Sequence, residues 1–244
     1  MGSDDVKGGE LVKRHRISTR IWHWINAIAV IAMLMSGLTI SNAHPHLYWG
    51  EFGANFDQPW YSPPHFPAWA TIPSGYNLAL ARIWHLAFAW VLAFGLLAYL
   101  VASLITRHIQ RDLTLTRAEI APSHLWADIK DHARLRFPTG AAALRYNVLQ
   151  KLTYIAVIFI LIPLLILTGL GLSPGFNAIL PIPDLFGGRA TTRSIHFICA
   201  GGIALFILVH LLLVALAGPY NEIRSMITGR YRIPPDPAPA GEPT

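Results

Sequence analysis

Ionisable side chains are expensive inside long apolar runs, and four histidines stand there: His23, His85, His196 and His210. His196 and His210 share one run, fourteen residues apart. At 100° per residue those steps come to about 1400°, within roughly 40° of four full turns. Both imidazoles therefore project from one face of a helix, about 21 Å apart along its axis. Three of the four follow an arginine at a fixed offset: Arg20-Ile-Trp-His23, Arg82-Ile-Trp-His85 and Arg193-Ser-Ile-His196. Residues i and i+3 share a helix face, so each such arginine accompanies its histidine. Imidazole is a common metal ligand and guanidinium a bidentate partner for carboxylates. The set therefore suggests a ligand that is both metallic and anionic.

The elements that must carry these residues are four apolar stretches, 21–40, 83–105, 152–172 and 194–217, none containing Asp, Glu, Lys or Arg. Each has about the 20 residues a spanning helix needs. Of the 19 Lys and Arg, 16 fall in the N-terminal tail, the second connection and the C-terminal tail; Arg82, Arg189 and Arg193 stand on the other side. The positive-inside rule then puts both termini in the cytoplasm. Topology sorts the histidines by depth. His85 and His196 lie near the outer ends of inward-running helices, and His23 and His210 lie toward the cytoplasm. Two pairs at two levels are what two bis-histidine haems require, since histidine is an established axial ligand. The third helix carries no histidine.

Other readings stand beside this one. A lone intramembrane histidine can be a hydrogen-bonded packing residue, and an interfacial arginine can simply snorkel. Zinc sites are compact, whereas these pairs fall on opposite membrane sides. Each arginine is placed at a helix N-terminus, where the macrodipole disfavours a cation and a haem propionate would offset it. His210 has Ile207 in the equivalent place. Gly37 follows His23 by fourteen residues, and Gly201-Gly202 lies between His196 and His210. Glycine admits a close backbone or a flat ligand, and equally serves helix packing. His15, His44, His46, His65, His108, His124 and His132 fall in tails or loops and read as solvated or interfacial. Cys199, one turn after His196, reads as a small core residue.

Between the helices, residues 41–76 carry six prolines, three tryptophans and three histidines with no Lys or Arg. That suggests an ordered outer cap, with an aromatic interfacial belt as the alternative. Leu125, Trp126, Ile129 and Ala133 recur at helical spacing after Pro122, among Asp128, Lys130, Asp131 and Arg134. This predicts an amphipathic helix at the cytoplasmic interface. Pro163 should kink the third helix, and Thr168-Gly169 with Gly171 should end it. Residues 1–13 and the Pro-rich 233–244 read as disordered tails around one domain, 14–232.

The 244 residues are 53% hydrophobic and 13% charged, about half the charge of a soluble domain. The net charge of +6 follows topology and does not indicate nucleic acid. The single Cys199 excludes an intrachain disulfide and a cysteine metal cluster. The first apolar segment is too long for a signal-peptide core, lacks a small-residue cleavage site and should remain as an anchor. The fold class is an all-α membrane protein, a four-transmembrane-helix bundle.

Over about residues 14–230 the chain resembles the bacterial four-helix di-haem cytochrome b membrane subunits. These include the gamma subunit of formate dehydrogenase, the b-type cytochrome of nickel-iron hydrogenase and the thiosulfate-reductase-type cytochrome b. The resemblance rests on Arg20-Ile-Trp-His23-Trp with Ser36-Gly37, on Arg82-Ile-Trp-His85 and on the fourteen-spaced His196 and His210. Asn42-Ala-His-Pro-His-Leu-Tyr-Trp-Gly50 looks most like the thiosulfate-reductase branch. It implies two haem b groups, the outer held by His85 and His196 and the inner by His23 and His210. It also implies electron transfer, in the bacterial inner membrane, between a periplasmic redox subunit and the quinone pool. Such partners are often molybdopterin-dependent or nickel-iron enzymes. The chain is then an electron-transfer subunit of a respiratory complex, with the cap as docking surface. The quinone is expected beside the inner haem, where Asn26, one turn from His23, is a candidate contributor. The rival is a self-contained di-haem membrane oxidoreductase acting on superoxide or another small external donor or acceptor.

Overall fold

A computed structural model of the chain describes residues 9–53, 57–74, 77–107, 109–134 and 147–233. The tail expectations for 1–8 and 234–244, and His108, lie outside these residues. Helix α1 spans Ile17–Ala43 and α2 spans Leu78–Thr106. Helix α3 spans Pro122–Ala133, α4 Val148–Ala156 and α5 Ile162–Leu172. The short α6 (Pro174–Ile179) and α7 (Ile182–Leu185) precede α8 (Arg189–Ala217), and α9 covers Pro219–Thr228. Among the described residues four helices are long and apolar enough to cross a membrane: Ile17–Ala43, Leu78–Thr106, Val148–Leu172 and Arg189–Ala217. Isoleucine, leucine and phenylalanine side chains such as Ile28, Phe94, Ile105, Ile160, Leu205 and Leu208 stand exposed along them, which suits a lipid solvent and not water. The protein is a multi-pass membrane protein.

These helices run past the apolar stretches that announce them, at 27, 29, 25 and 29 residues. Arg20, Arg82 and Arg193 are therefore inside the first two turns of α1, α2 and α8. The third span is not one regular helix. A π turn at Val157–Leu161 joins α4 to α5, whose second residue is Pro163. Proline offers no amide hydrogen and clashes one turn back, and the wider turn accommodates both defects. Thr168-Gly169 does not end this helix. It lies inside α5, which closes at Leu172.

The chain divides into two compact units. The first comprises Met1–His23, Ser103–Ile155 and Leu208–Thr244. Here strand β1 (Leu11–Lys13) pairs antiparallel with β2 (Arg230–Arg232). Gly9 N donates to Ile233 O at 2.8 Å and Ile233 N to Glu10 O at 3.0 Å. Ile233 and Tyr231 are buried with Val12 against them. Arg14 lies 4.3 Å over the Tyr231 ring and 3.2 Å from Glu222 in α9. Residues 9–13 and Ile233, expected in disordered tails, are thus ordered, and the boundaries drawn at 13 and 233 cut through a small sheet.

A reciprocal cap starts α4: Gln150 N donates to Asn147 Oδ1 at 2.8 Å, and Asn147 N to Gln150 Oε1 at 3.3 Å. Asp128 of α3 accepts from Val148 N at 3.2 Å. Lys151 sits 2.6 Å from Glu119. The helix expected after Pro122 forms, with Trp126 and Ile129 exposed.

The second unit comprises Trp24–Ala102 and Ala156–Ile207. Its connection between α1 and α2 is ordered over its described residues. Leu47 and Tyr61 form an antiparallel bridge. Asn42 exchanges two hydrogen bonds with the Phe66 backbone, at 2.9 and 2.8 Å. Trp60 Nε1 donates to Ser194 Oγ at 2.9 Å, whose hydroxyl donates to Tyr48 O at 2.6 Å. Trp49 stacks on Trp60 and Tyr61 tilts against Phe197.

Candidate functional site

The four intramembrane histidines fall into two pairs. His85 of α2 and His196 of α8 lie in the second unit, with ring centroids 6.1 Å apart and planes at 60°. His23 of α1 and His210 of α8 lie in the first unit, at 6.4 Å and 56°. Two imidazoles bonded to opposite faces of one metal, at about 2 Å per nitrogen, have centroids a little over about 6 Å apart. Both spacings fit that arrangement.

The protonation state of the His85–His196 pair follows from its neighbours. His85 Nδ1 lies 3.1 Å from Ser36 Oγ and 3.1 Å from Met33 O. The Ser36 hydroxyl hydrogen is directed at Ala32 O, 2.7 Å away, and Met33 O, 3.1 Å away. Across the pair, His196 Nδ1 lies 2.9 Å from Thr168 Oγ1 and also bonds the Leu165 backbone. The Thr168 hydroxyl donates to Leu164 O at 2.6 Å, with Leu165 O at 3.2 Å. A carbonyl can only accept, and each hydroxyl has already directed its hydrogen elsewhere. Nδ1 therefore carries the proton on both rings, and Nε2 keeps the lone pair a metal needs.

Glycines flank both rings. A Cβ on Gly37 would lie 3.5 Å from His85 Cε1, and one on Gly169 would lie 3.4 Å from His196 Cε1. Gly37, singled out by its spacing from His23, thus stands against His85. Of the other pair of glycines, Gly202 packs on Leu161, and a Cβ on Gly201 would meet nothing within 4 Å.

The arginines divide. Arg20 Nε is buried with no hydrogen-bond partner among the described residues. An unpaired buried donor of a charged group is unfavourable, so this position suits a carboxylate ligand. Gly229 lets the guanidinium pass, because a Cβ there would come within 2.7 Å of Arg20 Nη1. Arg193 instead donates to His44 O at 3.2 Å and to His46 O. Arg82 Nη2 lies 3.4 Å from His44 Nε2. His44, expected to be solvated or interfacial, is exposed and sits between these two cations. Burial first, then Arg193 and Arg82, lower its pKa. His15, also expected to be solvated or interfacial, is half-buried, and burial with Arg14, His23 and Arg20 takes its pKa down to about 4.

Paired imidazoles and a guanidinium with a buried, unpartnered Nε fit haem, with its iron and its propionates. Thr168, Gly169 and His44 are the neighbours that spacing did not single out. Their signal was available in the repeated hydroxyl–glycine dipeptides Ser36-Gly37 and Thr168-Gly169 and in the Asn42–Gly50 stretch.

A family model for prokaryotic cytochrome b561 matches residues 14–229, nearly the stretch covered by the resemblance. The provisionally named protein-methionine-sulfoxide reductase subunit YedZ1 of Azospira oryzae is 29% identical over 85% of this chain and 92% of its own. The provisionally named Ni/Fe-hydrogenase B-type cytochrome subunit of Cupriavidus necator is 24% identical over 95% and 89%. The provisionally named cytochrome YdhU of Escherichia coli is 26% identical over 92% and 76%. No solved structure gives a significant match.

Proposed function

From the premise that this chain belongs to the prokaryotic cytochrome b561 family, a family of b-type cytochromes, we propose that it is a di-haem electron-transfer subunit. It passes electrons between a periplasmic redox enzyme and the membrane quinone pool, in the bacterial inner membrane with both termini cytoplasmic. The observation that carries this reading is the pairing of all four intramembrane histidines, at 6.1 and 6.4 Å. His85 and His196 would hold one haem and His23 and His210 the other, with Arg20 on a propionate of the latter. Haem supplies reversible one-electron exchange between ferric and ferrous iron. The chain's own residues present Nε2, exclude water by the surrounding apolar helices and balance propionate charge.

Relatives named as subunits of a reductase and of a hydrogenase support a partner enzyme here. The aromatic connection tied down by Asn42, Ser194 and Trp60 is the surface offered to it. The asymmetry of Lys and Arg supports the orientation.

The test is a reduced-minus-oxidised spectrum and a haem-to-protein ratio on the purified chain, from cells supplied with haem. Two b-type haems per chain and reduction by a quinol are expected. Absence of b-type bands overturns the reading. Turnover of a small external acceptor by the isolated chain, without any co-isolating subunit, would replace it with the self-contained oxidoreductase.

A further inference from the structure

The imidazoles of His85 and His196 are gripped by the same device taken from two different helices. On α1 it is Met33, Ser36 and Gly37, and on α5 it is Leu165, Thr168 and Gly169, residues at identical offsets. In each, a main-chain carbonyl and the hydroxyl three residues later both bond Nδ1, and the following glycine lies against Cε1. Ser36 and Thr168 are fully buried. The third span contributes no histidine; Leu165, Thr168 and Gly169 are its contacts with the pair.

We propose that Ser36 and Thr168 are positioning residues of the haem held by His85 and His196: they fix the Nε2 lone pair, the rotation of each ring and the basicity of each ligand. This rests on the proposed ligand assignment. A hydroxyl that only bonds back to its own helix is common and has no consequence for a ligand. These two differ because their remaining lone pairs receive the imidazole N–H, and buried polar groups are paired at a specific place for a reason. A hydrogen bond on the distal nitrogen orients a ligating histidine and raises its donor strength. Stronger donation favours ferric over ferrous iron and so holds the midpoint potential down. Ring rotation sets the 60° between the imidazole planes.

The experiment compares Thr168→Val, Thr168→Ser, Ser36→Ala and His196→Ala in the full chain. It reads haem content, midpoint potential and the low-temperature ferric signal, whose anisotropy follows the angle between imidazole planes. His196→Ala should lose one haem of two; if it keeps both, the ligand assignment fails before the hydroxyls are considered. Thr168→Val and Ser36→Ala should keep haem on the remaining carbonyls, shift the ferric signal and raise the potential. A tenfold change in ferric preference would read as about 59 mV for a one-electron couple. Thr168→Ser should restore the unsubstituted values. Unchanged potential and signal in both hydroxyl-free variants, with haem bound, overturn the proposal. So does loss of haem in Thr168→Val and Thr168→Ser alike, which would make Thr168 a packing residue. Loss in the valine variant with retention in the serine variant supports it, and the potential is then read on Ser36→Ala.

Discussion

Gly37 and His85 are in near contact: a Cβ on Gly37 would stand 3.5 Å from the imidazole Cε1. That is ordinary van der Waals distance, so the glycine leaves room for one carbon and no more. The neighbouring Ser36 hydroxyl bonds the same ring, which keeps the imidazole from rotating away.

Two substitutions at Gly37 should therefore part company. Gly37→Ala should retain both haems with a spectrum close to the unsubstituted one. Gly37→Leu drives a branched side chain into a ring whose Nδ1 is held, and overpacking of this kind costs about 1–3 kcal/mol. The expected outcome is loss of the His85–His196 haem, measured as a fall from two haems per chain to one. Retention of both in the leucine variant would show that His85 lies elsewhere when haem is bound.

His210 is the proposed ligand without an arginine three residues earlier, and its assignment rests on its ring lying 6.4 Å from that of His23. His210→Ala should remove one haem and leave the other, still reducible by dithionite. Difference spectra before and after the change should subtract to a single b-type component. Two haems surviving in this variant would break the His23–His210 pair.

The spans were legible because lipid demands about 20 uninterrupted apolar residues, and the histidines that the charge asymmetry paired by expected depth meet in the structure at 6.1 and 6.4 Å. Helix ends were less legible. Hydrogen bonding continues beyond the apolar run, so α8 begins at Arg189 and not near Ser194. Thr168-Gly169 looked like a stop because hydroxyl and glycine residues favour caps. What overrode that tendency is burial against His196, which no local pattern reveals. The β1–β2 sheet escaped notice because each strand has three residues and the partners lie at opposite ends of the chain. Pro163 announced a disturbed helix without saying that a π turn would absorb it.

The joining of the two ends yields its own prediction. Ile233 is fully buried beside Tyr231, and removing a buried isoleucine side chain to alanine typically costs about 2–5 kcal/mol. Ile233→Ala should speed amide exchange at Leu11–Lys13 and expose both ends to protease, while the haem spectrum stays unchanged. Arg14→Ala should do less, because a partly exposed ion pair is worth about 0.2–1 kcal/mol. Equal protection in all three proteins would show that the strands do not hold the ends.

Glu119 supplies a dependence on pH. The Lys151 ammonium, 2.6 Å away, is the main cause that takes its carboxyl from 4.5 down to about 2, and the Thr116 amide adds to it. A carboxyl whose pKa is depressed on folding contributes stability that is fully present above its unfolded value, and loses it as pH falls toward the folded one. The tie between Glu119 and α4 should therefore hold at pH 6 and weaken between about 4.5 and 2. Amide exchange at Thr116 should rise across that window in the unsubstituted chain, at a pH-corrected intrinsic rate. Glu119→Gln removes the charge and the titration, so its exchange should be raised already at pH 6 and flat below. A parallel rise in both proteins would assign the acid sensitivity to another group.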